Sequence, residues 1–180
     1  MYFKQIQAIV DGIKTQTRRV VKPNELGDLN LGARETYSAV HSTHKNGSAL
    51  RLKWQVGRDY AVSPGRGKPG LWWNPVTKEV AIPYTTKRYK SDLPQMLKRD
   101  LRAKGYRPLR IRFTDIRRES LQAISEADAI AEGYPHTHPK PGITILPPVS
   151  WYAELWTAIN GKGSWAANPD VWALTFEVVR

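Results

Sequence analysis

Apolar residues recur at helical spacing over residues 3–11, where Phe3, Ile6, Ile9 and Val10 share one face. Gly12 follows as a natural C-terminal stop. The period then changes. Lys14 to Val21 is β-branched and alternating, is closed off by Pro23, and reads as a strand. Leu50, Leu52 and Trp54 alternate with Arg51 and Lys53, which predicts a half-buried strand; Gly57-Arg58-Asp59 then turns the chain into a short one, Tyr60-Ala61-Val62. Residues 71–84 predict a hairpin, with Leu71-Trp72-Trp73 and Glu79 to Ile82 on either side of a turn at Asn74-Pro75. Adjacent Trp residues on a strand face opposite sides, so one of them is exposed or covered by another segment.

Further along, residues 91–104 predict a helix capped by Ser91 or Asp92, with Leu93, Met96, Leu97 and Leu101 on one face and Gly105 at its end. Leu109 to Phe113 alternates as a strand. Ser125 caps a short helix over 126–132, Asp128 takes the third position as in a capping box, and Gly133 stops it. Residues 151–160 predict a helix between Ser150 and Gly161, and Trp172, Leu174, Phe176 and Val178 a C-terminal strand. Residues 23–49 are polar, Gly-rich and aperiodic. Residues 134–149 carry five Pro and read as a loop. There is no internal repeat. Short strands with irregularly placed helices point to an α+β fold, not to a βαβ series.

Composition narrows the picture. A length of 180 residues suits one domain, and 41% hydrophobic residues with seven Trp supply a core, which excludes wholesale disorder. No apolar run approaches the ~20 residues of a membrane helix. The N-terminal stretch lacks a small-residue cleavage site, so it does not read as a signal peptide. Without Cys there is no disulfide framework and no thiolate ligand or nucleophile. The expectation is a cytoplasmic basic protein with no membrane partner and no cofactor. Its net charge of +12 points to a polyanion, meaning nucleic acid. That charge is uneven. Residues 87–118 hold 12 basic and 3 acidic residues, whereas residues 119–180 hold 3 basic and 7 acidic ones. The run Lys87, Arg88, Lys90, Lys98, Arg99, Arg102, Lys104, Arg107, Arg110, Arg112 is interleaved with Tyr89 and Tyr106. Cations neutralise phosphates and release counterions; aromatic faces stack unpaired bases. The plainer alternative is a solvated helix face.

Three groups of residues carry candidate chemistry. Lys14, Thr17, Arg18 and Arg19 follow directly on a helix stop. On a strand, Thr15, Thr17 and Arg19 point one way and Lys14, Gln16 and Arg18 the other, unless a bend at the junction brings Lys14 beside Thr17. A Thr hydroxyl needs an adjacent base to become a nucleophile, and a desolvated Lys can serve. An ordinary basic edge strand accounts for the same residues. Glu132 lies in the last turn of the helix after Ser125, against the negative end of the helix dipole, at a cost of ~0.3–1 kcal/mol. It calls for a compensating partner such as Lys14 or an Arg; a solvated Glu is the alternative. The loop Pro64-Gly65-Arg66-Gly67-Lys68 lacks the P-loop spacing but suits contact with a nucleic-acid backbone. His136 and His138 have no Cys and no carboxylate at a fixed close spacing, so no metal site is assigned.

Several blocks together resemble one family. Gly12-x-Lys14-Thr15-x-Thr17-x-Arg19 resembles the N-terminal signature of ASCH domains, relatives of the RNA-binding PUA fold. Val56-Gly57-x-x-Tyr60-x-Val62-x-Pro64-Gly65-Arg66-Gly67-Lys68, Ile111-x-Phe113-Thr114-Asp115-Ile116-Arg117-Arg118-Glu119 and Ile124-Ser125-Glu126-Ala127-Asp128-Ala129-x-Ala131-Glu132-Gly133 look like the family's middle. Trp156-x-x-Ile159-x-Gly161, Trp165, Asn168-Pro169 and Trp172-x-Leu174-x-Phe176 look like the ending of ASCH proteins common in phages and prophages. The resemblance implies a single domain over 1–180: a small PUA-like β-barrel decorated with helices, with insertions at 23–49 and 69–107. It implies RNA binding, ribonuclease activity or, as in small bacterial members, hydrolysis of the acetyl amide of N4-acetylcytidine. In those amidohydrolases a Lys, a Thr three residues later and a distant Glu form the site. They match Lys14, Thr17 and Glu132, with the family's Arg on Arg19. This chain is longer than those enzymes and carries a basic insertion they lack. The expected partner is nucleic acid, RNA favoured, or a modified nucleoside within it. Contacts are assigned to Arg18, Arg19, Arg66, Lys68, Lys87, Arg88, Lys90, Arg99, Arg102 and Arg110. Single-strand cleavage and non-catalytic binding are the alternatives.

Overall fold

In the computed structural model the described residues are 5–21, 41–43, 49–51, 54–63, 70–81, 93–135 and 146–179. Helices run over Ile6–Val10 (α1), Gln95–Ala103 (α2), Glu126–Ala131 (α3) and Pro148–Asn160 (α4). Strands are Gln16–Val20 (β1), His41–Thr43 (β2), Ala49–Arg51 (β3), Asp59–Ala61 (β4), Trp72–Trp73 (β5), Val80–Ala81 (β6), Arg107–Pro108 (β7), Arg110–Ser120 (β8) and Asp170–Val178 (β9). Helix and strand are mixed, as expected for α+β. The largest sheet has the order β1-β9-β8-β4, is antiparallel, and curls into a half-barrel. β2 and β3 pair antiparallel, so residues 41–43, read from sequence as part of an aperiodic insertion, form a strand. No helix among the described residues is long and apolar enough to cross a membrane.

The chain divides into two compact units. One comprises Met1–Gly12, Asp59–Arg112 and Glu177–Arg180; the other comprises Ile13–Arg58 and Phe113–Phe176. In the first, β4 pairs antiparallel with the opening residues of β8, and β5 lies between β6 and β7. The β5–β6 turn forms because Asn74 Oδ1 accepts hydrogen bonds from the backbone N–H groups of Val76 (2.9 Å) and Thr77 (3.2 Å). Trp72 and Trp73 are both buried. The Arg102 guanidinium lies 5.6 Å from the Trp72 ring centre and the Lys78 ammonium 5.2 Å from that of Trp73.

The sequence placed the start of α2 at 91, but it starts at Gln95. The reason is Pro94, extended at ψ 142°, which fixes the boundary; the expected caps Ser91 and Asp92 lie outside the described residues. Of the residues assigned to its apolar face, Met96 is exposed, Leu97 and Leu101 are half-buried, and Leu93, just ahead of the helix, is buried. Gly105 ends α2 at φ +79°, and a Cβ there would sit 3.2 Å from Asn74 Nδ2.

In the second unit, β1 pairs antiparallel with β9 from Gln16↔Thr175 to Val20↔Val171. β8 outruns the expected Leu109–Phe113 strand. Its buried positions Ile111 and Phe113 are followed by Ile116, out of phase with them, so a strict period-2 pattern stops short of the true end. α3 begins where its cap says: Ser125 Oγ accepts from the Asp128 N–H at 3.1 Å. α4 starts at Pro148, ahead of the expected Ser150 cap, because Pro at the first helical position is pre-set for helix and has no N–H to lose. Leu121, Ile124, Ala129, Tyr152, Trp156 and Val171 pack as one buried cluster that binds α3 and α4 to the sheet.

Urea unfolding of the full chain checks these two contributions. Leu121→Ala should cost roughly 2–5 kcal/mol by leaving a core cavity. Ser125→Ala should cost about 1 kcal/mol through the lost cap. Equal losses would mean that the cluster does not hold α3.

Candidate functional site

Strand β1 is unusual for its polarity. Gln16, Thr17 and Arg18 are all buried, as is Lys14 just before it. Burying a cation without a partner is very costly, so each must be answered from elsewhere in the fold. The answer comes from the end of β8, from α3 and from α4.

Lys14 and Glu132 are joined twice. Their backbones form an isolated antiparallel bridge, and the Thr15 N–H donates to Ala131 O at 2.8 Å. The Lys14 ammonium then donates to Glu132 Oε2 at 2.7 Å and to the Glu132 carbonyl at 2.6 Å. The backbone carbonyl at the α3 terminus and the carboxylate on the same residue thus converge on one cation. The unfavourable position of Glu132 against the helix dipole is offset by that cation and by Arg18.

Arg18 is the centre of the cluster. Its side chain has 0% exposure. Nε and Nη2 donate to Glu119 Oε1 at 3.1 and 2.6 Å, and Nη2 also donates to Asp128 Oδ2 at 3.0 Å. Nη1 donates to Gln16 Oε1 at 2.6 Å and to Glu132 Oε1 at 3.4 Å. A guanidinium has five N–H donors, and these five bonds use them all. The Arg18 guanidinium also lies 5.7 Å from the Tyr152 ring centre, and the Tyr152 hydroxyl donates to Glu132 Oε1 at 3.5 Å. Gln16 donates to Asp128 Oδ1 (2.9 Å) and Thr175 Oγ1 (3.2 Å), and Arg117 donates to Asp128 Oδ2 (3.0 Å).

The protonation states follow. Burial pulls the Lys14 ammonium below its ordinary 10.5; Glu132 opposes this, and Arg19 and Arg18 add to it. Burial alone would lower Arg18, but Glu132 and Glu119 outweigh it and the guanidinium is held more firmly charged. Burial would raise Asp128; the hydrogen bond from Gln16 and the charges of Arg18 and Arg117 reverse that and hold it below 3.8. Burial keeps the Tyr152 hydroxyl protonated well above its usual range.

Of the residues singled out in the sequence, the structure joins Lys14 to Glu132. The contacts that tie this pair do not run through Thr17. By strand alternation Thr17 stands on the opposite side of β1 from Gln16 and Arg18, buried across from Leu174. Arg19 is half-buried opposite Trp172. Arg18, assigned to nucleic acid, is corrected: a fully buried guanidinium with every donor used has nothing to offer a phosphate. Arg99 and Arg102 on α2 and Arg110 at the start of β8 are exposed. Arg66, Lys68, Lys87, Arg88 and Lys90 lie outside the described residues, as do His136 and His138. Sequence reading missed Glu119, Tyr152 and the second role of Asp128. The signal for them was Gln16, which shares a strand face with Lys14 and Arg18 and so marks a polar side to β1 that needs acceptors.

Compared with known proteins, the chain matches no family model, no curated protein and no solved structure.

Removing Arg18 leaves three carboxylates with only Lys14 and Arg117 as cations between them, so Arg18→Ala should destabilise the fold by roughly 3–5 kcal/mol, and Arg18→Lys should recover little because an ammonium lacks the planar five-donor fork. Stability should also fall in acid. Asp128 is held below 3.8, so its contribution is complete above 3.8 and is lost as pH falls through the folded value. Lys14 works at the alkaline end instead: between its lowered value and 10.5 the unfolded chain binds the extra proton, so stability rises with pH there. Urea midpoints measured from pH 7 down to pH 2 should drop, with a shallower drop in Asp128→Asn; an identical slope in that variant would contradict the assignment.

Proposed function

We propose that the protein is a nucleic-acid-binding protein of the ASCH type, built on a PUA-like barrel, with RNA as its favoured partner. The observation that carries this is the exposed cationic surface of the first unit. Arg99, Arg102, Lys104, Arg107 and Arg110 are all exposed, and within residues 99–110 Asp100 is the sole carboxylate among them. Such a surface attracts a phosphate backbone and releases its counterions. The blocks that resemble ASCH domains supply the choice of RNA.

A second reading is favoured by Lys14. A buried Lys held below its ordinary pKa has more of the neutral, basic form near pH 7 than a free one, and Glu132 orients it. On this reading the substrate is an acylated nucleoside such as N4-acetylcytidine. Thr17 Oγ attacks the acetyl carbonyl while its proton passes to Lys14. The amide C–N bond breaks, and the proton returns to the departing exocyclic amine. Water then hydrolyses the acetyl ester, releasing acetate and regenerating Thr17. Because strand alternation separates Thr17 from Lys14, substrate binding must swing the Lys14 side chain, as the neutral amine, from Glu132 towards the hydroxyl.

Two assays separate the readings. Affinity for a short single-stranded RNA should fall linearly with the logarithm of salt concentration and should survive Lys14→Met; salt-independent binding, or none, rejects the nucleic-acid reading. N4-acetylcytidine should be deacetylated by the wild type and not by Thr17→Ala. Absence of turnover by the wild type rejects the hydrolase, and full turnover by Thr17→Ala rejects Thr17 as nucleophile.

A further inference from the structure

The first unit contains a cavity of about 220 Å³. Three cations from two elements line it: Lys98 and Arg102 on α2 and Arg110 at the start of β8. Leu71, Leu93 and Leu109, all buried, provide its apolar wall. Among the described residues no carboxylate lines it. A polar pocket with one sign of charge and apolar walls concentrates the field on an anion that carries an apolar or aromatic portion. Its volume is below the ~300–1,000 Å³ that encloses a whole small molecule. One monomer unit of a longer chain fits that limit better than a free dinucleotide cofactor.

The cations are not equivalent. The Arg102 guanidinium lies over the Trp72 ring, 5.6 Å from its centre, and Trp72 itself lines the cavity. The cation–ring attraction holds the guanidinium beside the cavity, and a guanidinium can grip a phosphate in two places. Trp72 is in turn fixed on both flanks, paired with Ala81 on β6 and Pro108 on β7. The site is therefore organised before any ligand arrives.

We infer that this cavity holds one nucleotide unit of a single nucleic-acid strand, with its phosphate on Arg102, Arg110 and Lys98 and its base against the three leucines. This rests on the nucleic-acid reading and locates it. The residues lining the cavity and the Lys14–Glu132 pair belong to different units.

The test uses the full chain and a fluorescently labelled short single-stranded RNA. The double variant Arg102→Gln, Arg110→Gln should weaken binding by about tenfold or more and reduce the salt slope by about 1–2. A charge-matched control at two cations that do not line the cavity, Arg58→Gln with Lys162→Gln, should change affinity less than about threefold, because it lowers the net charge without removing a lining cation. Cytidine monophosphate should displace the RNA at lower concentration than either cytidine or inorganic phosphate. Unfolding midpoints of both double variants confirm that they fold. Equal weakening by the two double variants overturns the inference in favour of diffuse attraction. Equal competition by inorganic phosphate overturns it in favour of a bare anion site. Wild type that fails to bind RNA rejects the nucleic-acid reading itself, whereas unimpaired binding by the Arg102, Arg110 variant rejects only this location.

Discussion

The burial of one guanidinium organises the second unit. Arg18 has no contact with water through its side chain, and its charge is met by Glu119, Asp128 and Glu132. These acceptors come from the end of β8, from α3 and from the residue that caps α3. None of the three segments can shift without stranding a charge in a low-dielectric interior. An apolar core tolerates substitutions that keep its volume and pattern, because its contacts are non-directional. Five directional bonds have no such latitude. The ion network therefore specifies one arrangement, while the Leu121, Tyr152 and Trp156 cluster beneath supplies the non-directional part of the stabilisation.

The same constraint shapes any chemistry at Lys14. Its partner Glu132 is held by Arg18 Nη1 and by the Tyr152 hydroxyl, so one carboxylate serves both a structural cation and a candidate base. A group in that position cannot be tuned for reactivity without loosening the fold. This explains why burial rather than removal of the counter-charge is what lowers Lys14. Desolvation shifts the ammonium while leaving the ion pair in place.

Much of this was legible in the sequence, and the failures have identifiable causes. The α3 cap was readable because Ser125 and Asp128 act within one turn, and Glu132 stood out because it opposes a dipole. Local rules decide such features. The start of α4 was misplaced because Ser150 looked like a cap while Pro147 and Pro148 set the true boundary. The length of β8 was underestimated because its buried face changes phase after Phe113. Arg18 was misread as a surface cation. Its neighbours Gln16 and Lys14 gave the face, but its carboxylate acceptors lie 101 to 114 positions away, where no local rule reaches.

That separation has a consequence in time. Lys14 and Glu132 are 118 residues apart, so during synthesis at ~5–20 residues per second the lysine waits roughly 6–24 s for its carboxylate. Through that interval β1 is a strand bearing unanswered cations, and neither its bridge to Glu132 nor its pairing with β9 can form. The contacts that close the second unit are among its most distant in sequence, which places them late and makes the final step slow. The N-terminal third of the chain must therefore stay soluble on its own charge until the last strand is made. The cations that later disappear into the interior keep the nascent chain apart from its neighbours first.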